Sequence, residues 1–297
     1  MFRKLFAFLL VPILGVLLPG CATANLYAPD PRFVAPALWE VSDGDTKIYL
    51  FGTVHALNRD ADWFAGPIAN AYDASSELVT EIPLGQGDAD AQAILARANL
   101  PEGQNLRDLM APENRVQYEE AMVSLGLPVE ALDRYEPWYA AMTLALLPVL
   151  KQGFDPKAGA ENALAGRSDG KKREALETLD QQIEIFDGLP MPAQLTFLDK
   201  TVESVGTASQ TLQQMVDRWL AGDAQSLAVL MNDELEDPVL YRRLLTDRNR
   251  NWADWIGHRM KQPGTAFVAV GAGHLAGKGS VQDILQRRGI KVRRVTQ

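Results

Sequence analysis

The chain has 297 residues, 47% of them hydrophobic and 23% charged, which is a globular composition with enough apolar material for a sizeable core. Its 29 basic and 38 acidic residues give a formal charge of −9, and no run of Lys or Arg offers a nucleic-acid footprint, so nucleic acid is excluded as a partner. The single cysteine, Cys21, excludes an intrachain disulfide.

In chain order, Arg3 and Lys4 precede an apolar run, Leu5 to Leu18, interrupted by Pro12 and Gly15 and followed by Leu18-Pro19-Gly20-Cys21. A short positive region, an apolar stretch too short to span a bilayer comfortably and a small-residue cleavage site read as an export signal over residues 1–20. The last four residues resemble a lipobox, in which the cysteine is lipidated and becomes the new N-terminus, although Pro19 is an unusual filler. An ordinary signal peptide cut after Ala22 or Ala24 is the alternative. Ala22 is not a retention acid, so the expected location is the outer membrane, facing the periplasm. Residues 21–36, rich in Ala and Pro, read as lipid anchor and tether, and the folded domain is expected over 37–297.

Ala37–Ser42 and Lys47–Phe51 read as two strands around the Asp43-Gly44-Asp45 turn. A helix is expected over Trp63–Ala74 and a third strand over Leu78–Ile82. Residues 88–262 carry mainly helical periodicity, with one helix expected over Asp237–Lys261 and one stretch, Lys171–Thr178, able to hold a strand. Ala266–Val270 reads as a buried strand, Ser280–Arg288 as a helix capped by Gly289, and Lys291–Val295 as an edge strand. The expected fold class is α/β (α+β): a central mixed β-sheet built from the N- and C-terminal segments, with a large helical insertion.

The chemistry sits in a repeated pattern. IYLFGTVHAL (48–57) and AFVAVGAGHLAG (266–277) both run apolar strand, Gly, two residues, His. The chain has three histidines, and two of them, His55 and His274, occupy this position. In open α/β sheets, ligands bind outside the carboxyl ends of the strands. If Gly52 and Gly271 end parallel neighbours, both imidazoles converge there. Glu81, at the end of LVTEI, adds a carboxylate that is costly in an apolar strand unless paired, liganding or at the rim. Two imidazoles and a carboxylate match a metal set with an open position for water, or a metal-free acid–base set. His258, on the helix before the last strands, reads as a surface residue. No H-E-x-x-H helix is present.

LWEV with IYLFGTVH, LVTEI, GFDPKA, KKREALETLDQQ, LLTDRNRNWADWI and FVAVGAGHLAGKGSV together resemble the TraB/GumN family, which is related to the TIKI proteases, over 37–297. The resemblance implies a sheet with a helical insert, shared more distantly with erythromycin esterases and haem-binding ChaN proteins. It also implies a metal-dependent protease using a divalent ion, Mn²⁺ or Co²⁺ rather than Zn²⁺, held by His55, His274 and Glu81. The family's R-N motif falls on Arg248 and Asn249. Asp155, Lys172, Glu177 and Gln181 match family positions, and of these Asp155 and Glu177, with Asn249, are candidates to line the cleft.

The expected activity is therefore hydrolysis of a peptide or envelope polymer, with metal-bound water, Glu81 as base if it is not a ligand, and Arg248 stabilising the tetrahedral intermediate. Two other readings stand beside it. One is an esterase-like hydrolase in which His55 or His274 deprotonates water without metal. The other is a non-catalytic envelope protein that sequesters a peptide.

Overall fold

The computed structural model describes residues 35–85, 87–232 and 238–295. The expected export signal, Cys21 and most of the tether lie outside the described residues.

Six strands form one mixed sheet. They are β1 (Leu38–Ser42), β2 (Thr46–Thr53), β3 (Glu77–Thr80), β4 (Lys172–Ala175), β5 (Gly264–Gly271) and β6 (Val292–Arg294), in spatial order β4-β3-β5-β2-β1-β6. β1 pairs antiparallel with both β2 and β6, whereas β2, β5, β3 and β4 run parallel. The fold is thus a mixed α/β sheet drawn from both ends of the domain. The stretch at 171–178 does hold a strand, and it joins the sheet as the edge opposite β6, so the insertion contributes to the sheet as well as to the helical layer.

The β1–β2 hairpin closes as its sequence demands: Asp43 Oδ1 accepts the backbone N–H groups of Asp45 and Thr46, at 3.2 and 2.9 Å. β2 runs two residues further than its apolar run suggests, and Gly52 lies inside it. Gly52 keeps ordinary strand geometry; a Cβ there would come within 3.0 Å of the Ala272 backbone. This glycine therefore serves a close approach and not a sharp turn.

Side chains alternate across the strands. From β5, Phe267 and Ala269 face a core with Phe51, Trp63, Tyr72 and Trp219, while Val268 and Val270 face another with Ile48, Leu50, Val79, Trp252 and Ile256. Burial on both faces explains the continuous apolar run of β5.

Helices cover these faces. α1 (Gly66–Asp73), α2 (Asp88–Arg97), α3 (Pro112–Ser124), α4 (Pro137–Lys151) and α5 (Ala160–Ala165) precede β4. α6 (Leu179–Asp187), α7 (Met191–Ser204), α8 (Ala208–Leu220) and α9 (Ala224–Asn232) follow it. The periodic stretch 237–261 is not one helix: α10 (Pro238–Tyr241) passes through a π-helical turn, Arg242–Thr246, into α11 (Asp247–Arg259). α12 (Val281–Arg287) ends one residue before Arg288, and Gly289, with φ of +80°, takes the left-handed position beyond it. A third apolar cluster lies among the insertion helices, around Trp138, Phe186 and Phe197. No helix of the described residues is long and apolar enough to cross a membrane.

One buried pair fixes the site's scaffold. Arg259, near the end of α11, donates from Nε and Nη2 to both carboxylate oxygens of Glu77 at the start of β3, at 3.0 and 3.2 Å. A two-pronged guanidinium–carboxylate contact sets orientation as well as distance. α11 is thereby registered against the strand that leads to Glu81.

Candidate active site at the ends of the parallel strands

The parallel register delivers chemistry to one edge. Thr53 lies opposite Gly271, and Thr80 opposite both Ala269 and Ala175. The chain leaves β2, β5, β3 and β4 on the same side, so His55, His274, Glu81 and Glu177 follow strands that are neighbours in the sheet. Glu81 stands one residue beyond β3, and its backbone carbonyl accepts the Glu177 N–H at 2.8 Å.

Gly271 lies at the centre. A Cβ on it would meet Glu81 Oε1 at 3.1 Å, His55 Nε2 at 3.5 Å and His274 Cδ2 at 3.6 Å. The missing side chain is the space the three groups share. Beside it is a cavity of about 30 Å³, room for about two waters. Val54, Leu212, Met215 and Met231 form an apolar wall facing His55, Glu81, Arg248 and His274.

Glu81 is buried and fully engaged. Oε1 accepts from Gly271 N at 2.6 Å, and Oε2 accepts from Arg248 Nη2 at 2.6 Å and Gln182 Nε2 at 3.0 Å. Burial alone would raise its pKa. The Arg248 guanidinium and the Gly271 N–H overcome that and hold it well below its ordinary 4.5, at about 2.

Arg248 enters from the first turn of α11. Its Nε donates to Glu177 Oε1 at 2.8 Å and its Nη1 donates to His274 Nε2 at 3.1 Å, while its Cζ lies 4.7 Å from the centre of the Trp252 ring. Trp252 Nε1 also donates to Glu177 Oε1, at 2.9 Å. Arg248 and Trp252, four residues apart, share one helix face, as their spacing predicts.

The His274 tautomer follows from its partners. Asn249 Nδ2 donates to Gly279 O at 2.8 Å, which turns Asn249 Oδ1 toward His274 Nδ1, 2.6 Å away. Nδ1 therefore carries the proton and Nε2 accepts from Arg248. Burial, reinforced by the Arg248 charge, holds His274 neutral, with its pKa pushed down to about 3.

His55 has the opposite setting. Its Nδ1 lies 2.6 Å from Glu161 Oε1, an ion-pair contact bent away from the ring N–H direction. Burial opposes a charge here, but the Glu161 carboxylate outweighs it, with help from Glu81, and lifts the imidazole to about 9.

Of the residues read from the sequence, His55, Glu81, His274, Arg248, Asn249 and Glu177 come together. Asp155 does not reach the cavity: it caps the turn at Pro156–Ala158 and accepts Arg59 Nη2 at 2.8 Å. Gln181 closes a capping box on α6 with Thr178, and its neighbour Gln182 is the one that touches Glu81. Lys172 is exposed on β4 and pairs with Glu174, and His258 is exposed on α11. Glu161, Thr53, Gln182 and the apolar wall were not read from the sequence. An acid among small residues in AGAENALA was the one available signal for Glu161.

The donors suit a divalent ion in kind. His55 turns Nε2 toward the space above Gly271, His274 is held at Nδ1 by Asn249, and the Glu81 carboxylate stands beside them. Their arrangement does not fit one. Arg248 occupies His274 Nε2 and Glu81 Oε2, and among the described residues no three His, Cys, Asp or Glu side chains are grouped to hold a metal.

Two outcomes follow from this geometry. Gly159 and Ala160 dock on the His55 segment: Ala160 N donates to Val54 O at 3.0 Å, and a Cβ on Gly159 would overlap the His55 carbonyl. Gly159→Ala is expected to cost about 1–3 kcal/mol in denaturant unfolding and to shift the His55 ring resonances. Glu81 has a lowered folded pKa, so its pairing contributes fully above pH 4.5 and is lost as pH falls toward 2. The stability difference between wild type and Glu81→Gln, read from urea midpoints, should therefore shrink across that window.

A model of the TraB/PrgY/gumN family matches residues 37–294. The chain is 26% identical over 257 residues to "Uncharacterized protein YbaP" of Escherichia coli (strain K12), covering 86% of this chain and 94% of that one. It is 24% identical to an uncharacterized protein of Treponema pallidum, covering 84% and 80% of the two chains. It is 25% identical over 333 residues to "Metalloprotease TIKI1" of Homo sapiens, covering 92% of this chain and 64% of the human one. No solved structure matches. With the family model spanning the whole sheet, its helical insertion and both G-x-x-H segments, the chain belongs to the TraB/PrgY/gumN family.

Proposed function

We propose that this protein is a hydrolase acting on amide bonds of a peptide or envelope polymer at the ends of β2, β3 and β5. The observation that carries the reading is the convergence of His55 Nε2, Glu81 Oε1 and the His274 ring on the space above Gly271. The similarity to a human protein named a metalloprotease supports a peptide substrate.

In this reading a water beside Glu81 attacks the carbonyl carbon and gives its proton to the carboxylate. Arg248 holds that carboxylate in place. The charge of the His55 imidazolium favours the tetrahedral oxyanion, its Nε2 proton then passes to the leaving amine, and the proton taken up by Glu81 moves on to His55 Nε2 and restores both groups. His274 anchors Arg248 from the opposite side. The metal-dependent form, with Mn²⁺ or Co²⁺, is a second reading. It is favoured by the human relative's name and by the two imidazoles held from behind, and it requires Arg248 to leave His274 Nε2.

The test is turnover of a pooled library of internally quenched peptides by the purified protein. Cleavage is expected, falling about 10²- to 10⁴-fold in His55→Ala and in Glu81→Gln. Cleavage that survives chelation supports the reading without metal. Cleavage lost on chelation and restored by Mn²⁺ supports the metal form, and stoichiometric peptide binding without turnover overturns the hydrolase in favour of a peptide-sequestering protein.

We also propose that the N-terminal segment exports the chain and that Cys21 carries a lipid anchoring it to the outer membrane, facing the periplasm. Radiolabelled fatty acid fed to expressing cells should enter the protein and be absent from Cys21→Ala. Equal labelling of the two would leave an ordinary cleaved signal.

A further inference from the structure

Glu161 is an acid in an expensive place. It lies near the start of α5, its side chain is 7% exposed, and no Lys or Arg is paired with it among the described residues. A buried carboxylate is kept where its hydrogen-bonding capacity is used. The contacts of Glu161 go to one place: Oε1 accepts from the Thr53 hydroxyl and lies 2.6 Å from His55 Nδ1. Both partners belong to the G-x-x-H segment leaving β2.

The backbone fixes the same relation independently. Asp155 and Leu57 form a two-way bridge, with N···O distances of 3.0 and 3.4 Å. Ala160 N reaches Val54 O, and Gly159 packs so closely on His55 that no side chain fits between them. The start of α5 is thereby clamped to the His55 backbone, and its second residue aims a carboxylate at the rear of the ring. Glu161 does not line the cavity, whereas Thr53 and His55 do.

We propose that Glu161 is the positioning residue for His55. With Thr53 holding its carboxylate 2.6 Å from His55 Nδ1, a small rotation of the ring lets it receive the Nδ1–H, and this keeps Nε2 turned to the space above Gly271, where the reaction takes place. The inference rests on the hydrolase reading for its kinetic consequence and on geometry alone for the ring orientation. Glu161 acts through His55 and touches no substrate. Its loss should therefore lower kcat and leave KM unchanged.

The experiment compares the full chain with Glu161→Gln, Glu161→Asp and Glu161→Ala. One readout is imidazole nitrogen-15 and proton NMR of ring-labelled protein; the other is turnover of the same quenched-peptide library. In the wild type the His55 Nδ1 proton should be strongly deshielded by a carboxylate acceptor. That signal should vanish in Glu161→Ala and weaken in Glu161→Gln, while the His274 resonances stay in place. kcat should fall about 10- to 100-fold in Glu161→Gln at unchanged KM, the size of effect expected when the hydrogen-bonded partner behind an imidazole is lost, with partial recovery in Glu161→Asp. His55 ring resonances identical in wild type and Glu161→Ala would overturn the proposal whether or not any peptide is cleaved. So would wild-type kcat in a folded Glu161→Gln. Absence of turnover in the wild type, with the NMR signature present, would remove the hydrolase reading and leave the positioning role standing.

Discussion

The parallel pairing of β2, β5 and β3 is the constraint on which the site depends. Antiparallel strands would send His55 and His274 to opposite edges of the sheet. Parallel strands end on the same side, and the register of Thr53 with Gly271 sets the two ends level. Such pairing needs a long crossover. Here most of the domain lies between β2 and β5, and that length holds both the helical layer and β4. The insertion is therefore the connection that makes the parallel pair achievable, and it also supplies Glu161, Glu177, Gln182 and Arg248.

Level strand ends would crowd one another if both carried side chains. Gly52 lets the Ala272 backbone close down on β2, and Gly271 leaves open the space bounded by Glu81 and the two imidazoles. The G of each G-x-x-H does different work from the other: one permits close packing behind the site, and the other leaves room in front of it. Neither needs a left-handed backbone, since neither has a positive φ among the described glycines.

The strand pattern made the sheet legible, because short apolar runs bounded by turn residues and the Asp-Gly turn are local properties of the chain. The convergence of His55 and His274 was legible for a related reason: a duplicated motif after two apolar strands needs only the parallel rule to become a site. What the sequence could not convey is partnership across distance. Glu161 and His55 are 106 positions apart, and nothing local marks the acid as theirs. Gln181 and Gln182 cannot be told apart by composition, yet the phase of α6 gives one to a helix cap and the other to Glu81. The 237–261 stretch read as one helix because a π-helical turn keeps helical periodicity almost intact. That extra residue nonetheless resets the phase just before Arg248, which enters the site from the turn that follows.

The duplicated motif does not give duplicated histidines. Behind His274 stands a neutral amide, Asn249, which supplies no negative charge, and in front of it a guanidinium, which with burial disfavours a second proton on the ring. Behind His55 stands the Glu161 carboxylate, and Glu81 adds a second negative charge to its field, so the proton is retained. One imidazole is thus an acceptor that helps to fix Arg248, and the other is a charged donor whose Nε2 stays turned toward the space above Gly271. Two histidines in the same G-x-x-H pattern are driven to different charge states by partners the insertion brings to them.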